Sequence, residues 1–341
     1  MDQERRLRVV AVTRKPDAAS YEQRVKHYLE PLAASGIDVE ERVIPDGTWR
    51  QRRFYCGLGD FDVVWWQRHL AQPWHLRVIR RHAKRLVFDF DDPLTVSAAG
   101  GGKASWSRRR RFAWMLGACD VVTTASEHLA GLARAYCGDV RVVPMAIDLP
   151  DEGVLPVSER PGPPTLLWLG SRATQPYLSL IRPALERLAG RVVLRLIAHE
   201  PMRFGGLDVD FRRWSEVEQT AALRECHVGL CPMPDTAWTR GKCPYKVLQY
   251  MAYGMPWVGS AVGENLVVAG VGRAGPGDRG WCAAGQDDWV DAIDAMTAGE
   301  QRVRTGEAGR SYIEAVHARE RLVGAIAGAL SGRGGGQSSR G

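Results

Sequence analysis

Three cations, Arg240, Lys242 and Lys246, crowd the stretch between Cys231 and Pro256. The order reads as strand end, polar loop, helix, then a Gly-Met-Pro turn into another strand. Lys246 falls at the start of the helix, where unpaired backbone N–H groups and about half a unit of positive charge already attract anions. Added Lys and Arg suit a diphosphate guest. A solvated basic loop ahead of a helix gives the same pattern, and spacing alone does not separate the two. A second cluster, Leu169-Gly-Ser-Arg-Ala-Thr-Gln-Pro176, follows a strand. Gly170 lets a backbone approach a ligand, Ser171 and Thr174 supply hydroxyls, and Arg172 adds a cation. Neither a dinucleotide Gly-x-Gly-x-x-Gly nor a Walker Gly-Lys-Ser/Thr is present; Gly241-Lys242-Cys243 fails at the hydroxyl.

Carboxylates gather at a third strand end, Phe88-Asp-Phe-Asp-Asp-Pro93. Asp89 and Asp91 share a face by alternation and Asp92 stands at the turn. Such crowding is repulsive and suits a base, a metal or a hydroxyl-rich ligand; an Asp-Pro turn and cap is the plainer reading. Lys103 to Phe112 is strongly basic, with Trp106 inside it and Trp114 close by. It suits an anionic membrane surface or a solvated helix face; nucleic acid is not backed by any motif.

The elements that position these residues alternate regularly. Strands are expected at 8–13, 38–43, 61–66, 86–90, 120–124 and 140–143, with helices at 21–34, 74–84, 107–117 and 127–136. After the Pro- and Gly-rich stretch from Asp148 to Pro164, a second series has strands at 165–169, 192–197, 227–231 and 256–259. Helices are expected at 176–188, 216–225, 244–253, 287–296, 300–316 and 319–330. Repeated β-α-β order predicts an α/β protein with two Rossmann-like, doubly wound parallel-sheet domains facing a central cleft. The expected domains are 1–150 and 151–316, then a helix at 317–330 that returns toward the first domain, and a disordered tail at 331–341. Ligands in such sheets bind beyond the carboxyl ends of the strands, which is where the three clusters fall.

Bulk properties narrow the field. The 341 residues exceed one ordinary core, and 46 Lys+Arg against 39 Asp+Glu leave +7, a mild preference for anionic partners. Seven scattered cysteines without Cys-x-x-Cys predict reduced thiols in a cytoplasmic protein. Cys226-His227 and Cys231 bracket an apolar strand, so no metal is expected. No apolar run approaches the roughly 20 residues needed to span a bilayer.

Taken together, Trp238-Thr-Arg-Gly-Lys-Cys-Pro-Tyr-Lys-Val-Leu-Gln-Tyr-Met-Ala-Tyr-Gly-Met-Pro256 and Ser260-Ala-Val-Gly-Glu-Asn265 resemble the GT-B glycosyltransferases. The likeness is specifically to the retaining family-4 (group 1) enzymes of bacterial polysaccharide and glycolipid synthesis. Val87-Phe-Asp-Phe-Asp-Asp92, Leu167-Trp-Leu-Gly-Ser171, Val143-Pro-Met-Ala-Ile-Asp148 and Gly306-Glu-Ala-Gly-Arg310 add to it, and Ser20-Tyr-Glu-Gln-Arg24 looks like an acceptor-side helix start. The resemblance implies sugar transfer from a nucleotide-sugar donor to a hydroxyl of a glycan, glycolipid or small molecule. It implies retention at the anomeric carbon, no cofactor and no required metal, with the acceptor in the first domain and the donor in the second.

Carried onto this chain, the resemblance assigns donor binding to Gly170, Ser171, Arg172, Thr174, Arg240, Lys242, Lys246, Gln249, Glu264 and Asn265. Asp91, Asp92 and Lys246 are the catalytic candidates, and Arg24 and Asp89 the acceptor-side ones. The usual Glu-x7-Glu is missing, since Gly241 and Gln249 stand there; a branch with Lys-x-x-Gln-Tyr shares this pattern. Gln249 can hold a ribose hydroxyl, weakened by ~1 kcal/mol relative to a charged partner. The alternatives are a nucleotide-sugar-binding protein that does not transfer, and an epimerase on the same architecture. A peripheral contact at the inner face of an anionic membrane through Arg108–Arg111 is compatible with either; nucleic acid is not an expected partner.

Overall fold

The computed structural model describes residues 5–97, 105–150, 154–297 and 299–332. Lys103, the middle of the expected linker (151–153) and the tail beyond Gly332 lie outside the described residues. The chain forms two compact units. One comprises the residues up to Ala146, Gly241–Cys243 and the chain from Arg319; the other comprises Ile147–Arg240 and Pro244–Ala318.

The first unit runs β1 (Leu7–Thr13), α1 (Ala19–Arg24), α2 (Leu29–Ala34), β2 (Ile37–Val43), α3 (Thr48–Cys56) and β3 (Val63–Gln67). It continues through α4 (Pro73–His82), β4 (Leu86–Phe90), α5 (Trp106–Gly117), β5 (Val121–Thr124), α6 (Glu127–Ala133) and β6 (Val140–Val142). Its sheet order is β2-β1-β3-β4-β5-β6, all pairs parallel. Val9, Ala11, Val63, Trp65 and Val87 alternate onto one face, against Tyr21, Val25, Tyr28 and Leu32. The last helix, Arg319–Ser331, inserts Leu322, Ile326 and Leu330 into this same core. On the opposite face Tyr55 of α3 packs on Trp66, and Phe112 of α5 meets Phe90 edge-on at 5.4 Å between ring centres.

The helix expected over 21–34 is broken by a 3-10 turn at Lys26–Tyr28. Pro31 explains it: its missing N–H and its ring disrupt the bond to the His27 carbonyl four residues back. Pro183 acts alike. The stretch expected as one helix at 176–188 is 3-10 over Gln175–Ile181 and α-helical only as α7 (Arg182–Arg187).

The second unit runs β7 (Thr165–Leu169), α7, β8 (Val193–Ala198), β9 (Asp208–Arg213), α8 (Glu216–Glu225), β10 (Val228–Cys231), α9 (Tyr245–Ala252) and β11 (Trp257–Ser260). Then come α10 (Glu264–Ala269), β12 (Gly275–Gly277), β13 (Gly280–Ala283), α11 (Gln286–Thr297) and α12 (Gly299–Tyr312), before the final helix, α13. The sheet order is β12-β13-β11-β10-β7-β8-β9, antiparallel only at β12–β13. The chain winds β7 to β8 to β9 in one direction, then restarts at β10 on the other side of β7. The loops after β7 and β10 therefore diverge, which is the switch point where doubly wound sheets take ligands.

Candidate functional site

Lys246 sits at that switch point. It lies in the first turn of α9, and its Nζ is 4.2 Å from the centre of the buried Trp168 ring on β7. Gly170 follows Trp168 by two residues and has no space for a side chain. A Cβ there would lie 2.8 Å from the Trp168 ring, 2.9 Å from Thr174 Oγ1 and 3.0 Å from Lys246 Nζ. The Gly170–Thr174 turn and the Lys246 ammonium thus converge on one corner. The turn is held by Ser171, whose carbonyl accepts from the backbone N–H groups of Thr174 and Gln175 at 3.0 and 3.1 Å. Its Ser171 side is exposed.

Helix α9 is fixed by a residue that the sequence reading passed over. Tyr250, one turn after Lys246 on the same face, is fully buried. Its hydroxyl lies 3.3 Å from the Leu167 carbonyl and 3.2 Å from that of Leu230, so it bridges β7 and β10 beneath Lys246. Gly229 makes room for it, because a Cβ at 229 would fall 2.2 Å from the Tyr250 ring. Burial raises the phenol pKa well above its ordinary value, keeping the donor protonated. An aromatic four residues after the motif lysine, facing a strand glycine, was the available signal.

The remaining cations are engaged elsewhere. Arg240 makes a bidentate, solvent-exposed pair with Asp235 at 2.6 and 2.8 Å. Arg172 points to Glu200, 3.0 Å away and exposed. Lys242 belongs to the segment that clusters with the first unit, and its Nζ lies 3.9 Å from Asp92. So of the three loop cations grouped by sequence, Lys246 is the one placed against the Gly170 turn. The absence of Glu at 241 has a steric counterpart: a Cβ on Gly241 would meet His128 at 3.1 Å and Pro93 at 3.2 Å.

Gln249 lies partly exposed on α9, and Glu264 opens α10. Gly263 brings Glu264 alongside Arg240: its φ is +54°, and a Cβ would stand 2.4 Å from the Arg240 carbonyl oxygen. Only glycine fits that conformation and that gap. Asn265 departs from its expected role. It is fully buried, and its amide donates to the Ser260 carbonyl at 2.9 Å and reaches that of Cys231 at 3.5 Å. It ties the ends of β10 and β11 together instead of offering its amide to a sugar.

In the first unit the switch point lies between β1 and β3. Beyond β3 stands Arg68, which the sequence reading missed. It is the non-glycine residue with positive φ (58°) among those described, and its guanidinium contacts Asp91 at 3.1 Å and Asp92 at 2.6 Å. Non-glycine residues held in this region are strained and collect at functional sites. Burial raises the Asp91 carboxyl to about 6, with Arg68 opposing and Asp92 adding to the shift. Next in sequence, burial and the neighbouring Arg14 and Arg111 lower the His69 imidazole to about 4, leaving it neutral near pH 7.

Arg24 and Asp89, expected at the acceptor side, are instead buried in the interior. Arg24 Nη2 meets Asp89 Oδ1 at 2.5 Å, and Arg24 Nε donates to Oδ2 at 3.2 Å. Thr123 Oγ1 donates to Asp89 at 2.7 Å, and Arg24 Nη1 donates to the Val143 and Pro144 carbonyls at 2.5 and 3.2 Å. The pair joins α1, β4, β5 and the segment after β6. A group with no water contact cannot greet an acceptor, so its role here is architectural.

Among the described residues no three His, Cys, Asp or Glu side chains assemble as a metal set, and no helix is long and apolar enough to cross a membrane. All seven cysteines are free thiols.

No family model and no curated protein matches the chain. Solved structures do. A sucrose-phosphate synthase from Thermosynechococcus elongatus superposes with a TM-score of 0.70 at 14% identity, over 94% of this chain and 97% of that one. The Anabaena HepE protein in complex with UDP and glucose gives 0.68 at 12%, over 96% and 100%. A glycosyltransferase from Rickettsia africae gives 0.69 at 8%, again over 96% and 100%. The chain has the GT-B fold.

Proposed function

We propose that this protein is a retaining glycosyltransferase of the family-4 type, moving a sugar from a nucleotide-sugar donor to an acceptor hydroxyl. The observation that carries the reading is the corner made by Gly170, Thr174 and Lys246 at the β7–β10 switch point. A turn entered through glycine, with hydroxyls and an ammonium at the strand ends, suits a diphosphate. UDP is the first nucleotide to test, because the similar HepE structure holds UDP and glucose.

In this reading Lys246 neutralises the charge that grows on the departing diphosphate, and Ser171 and Thr174 hold its oxygens from the turn. Gln249 takes the ribose and Glu264 the sugar. Arg240 and Arg172 would have to leave Asp235 and Glu200 to join the phosphates, and both pairs are exposed enough to exchange. In the first unit, Asp91 and Asp92, braced by Arg68, orient the acceptor hydroxyl or receive its proton. A carboxyl raised to about 6 is suitably poised for that exchange near neutral pH. No metal is needed for this division of labour, because Lys246 supplies the cation.

The test is product analysis with UDP-, GDP-, ADP- and dTDP-sugars and a panel of hydroxyl acceptors. Acceptor-dependent nucleotide release, with a product whose anomeric coupling matches the donor's, is expected. An inverted product removes the retaining assignment. An altered sugar still on its nucleotide would identify an epimerase, and donor binding without release in any combination would leave a binding protein.

A further inference from the structure

We propose that the outer face of α3, α4 and α5 in the first unit docks on an anionic lipid bilayer. The inference is independent of the donor assignment. The three helices neighbour one another in series on one side of the sheet. Their inner sides are spent on the sheet through contacts such as Tyr55 on Trp66 and Phe112 on Phe90. Their outer sides carry four large indoles in water: Trp49 is 82% exposed, Trp74 58%, Trp106 70% and Trp114 40%.

Charge on these helices is of one sign. None of them contains an Asp or Glu, while each carries a cluster of arginines. Elsewhere on the surface several arginines find carboxylates, as in Arg6–Asp38, Arg187–Asp287 and Arg191–Asp294. On this face Arg80, half exposed, pairs with Asp120. Among the described residues, the fully exposed arginines of α3, α4 and α5 make no ion pair. On α5, Arg110 is stacked between Trp106 and Trp114, 4.4 and 4.5 Å from their ring centres.

Exposed indoles beside uncompensated cations match the bilayer interface, where amphipathic rings lie at headgroup depth and basic residues meet anionic lipid. A single-stranded nucleic acid asks instead for a basic groove with ring faces open for stacking. Here the indoles are spread over three adjacent helices, and Arg110 already covers one ring face each of Trp106 and Trp114.

The test is flotation of the full-length protein with phosphatidylcholine vesicles, with and without 30 mol% phosphatidylglycerol. Partitioning onto the anionic vesicles should be at least about tenfold stronger, given the gain per basic residue near such a surface, and should fall with salt. Two variants dissect the face: Arg108→Gln with Arg109→Gln, and Trp106→Ala with Trp114→Ala. Each should lose most of the binding while keeping the wild-type melting temperature, and tryptophan emission should shift to the blue only with anionic vesicles. Equal binding to both vesicle types, no binding, or preference for an oligonucleotide over anionic vesicles would overturn the proposal. So would either variant, folded, binding as well as the wild type.

Discussion

Replacing Lys246 with alanine is expected to lower turnover by ~100-fold or more, the usual cost of removing a fixed group aimed at developing charge. The loss should appear mainly in kcat, because negative charge on the leaving diphosphate is greatest as the glycosidic bond breaks. Folding should survive. Lys246 is only partly buried, and α9 is anchored by the Tyr250 hydroxyl and by buried Val247, Leu248 and Met251. Arginine at 246 is not a neutral exchange: the site beside Gly170 is tight, and a planar fork does not fit a point-charge position. Near-normal turnover in the alanine variant, with an unchanged melting curve, would remove the diphosphate assignment.

The second large effect concerns stability. Replacing Arg24 with alanine should destabilise the first unit by about 3–5 kcal/mol, because Asp89 is left as a buried, uncompensated charge. Asp89→Ala should cost a similar amount through Arg24. Combining the two should cost clearly less than their sum, since each single change strands the other's charge. Denaturant unfolding monitored through the first-unit tryptophans would measure this. Were Arg24→Ala to leave stability intact and raise the KM for acceptor alone, the acceptor-side reading from the sequence would return.

The contrast between these two sites shows what a linear sequence displays. The βαβ order was readable because runs such as Val63-Val-Trp-Trp66 and Thr165-Leu-Leu-Trp-Leu169 are continuous apolar strands buried on both faces. Helix α3 was missed since Thr-Trp-Arg-Gln-Arg-Arg-Phe-Tyr-Cys buries only Tyr55, leaving no apolar stripe to detect. Strand β9 was missed because it is an edge strand, four of whose six residues are charged. At the site, Gly170 and Lys246 could be named from local chemistry, each standing at a strand end or helix start. Arg68, Tyr250 and Asn265 depend on partners far along the chain. That Asp89 pairs with Arg24 while Asp91 and Asp92 pair with Arg68 was likewise not written in Phe-Asp-Phe-Asp-Asp, because alternation puts Asp89 and Asp91 on one face.

Calorimetric titration of UDP into the intact protein and into Gly170→Val tests the central claim most directly. Gly170→Val drives branched methyls into the Trp168 ring, Thr174 Oγ1 and Lys246 Nζ. Relieving that overpacking has to push Thr174 and Lys246 out of the corner, so UDP should bind the wild type and lose about tenfold or more in the variant. Equal affinity in the two proteins, with both folded, would place the diphosphate somewhere other than this corner.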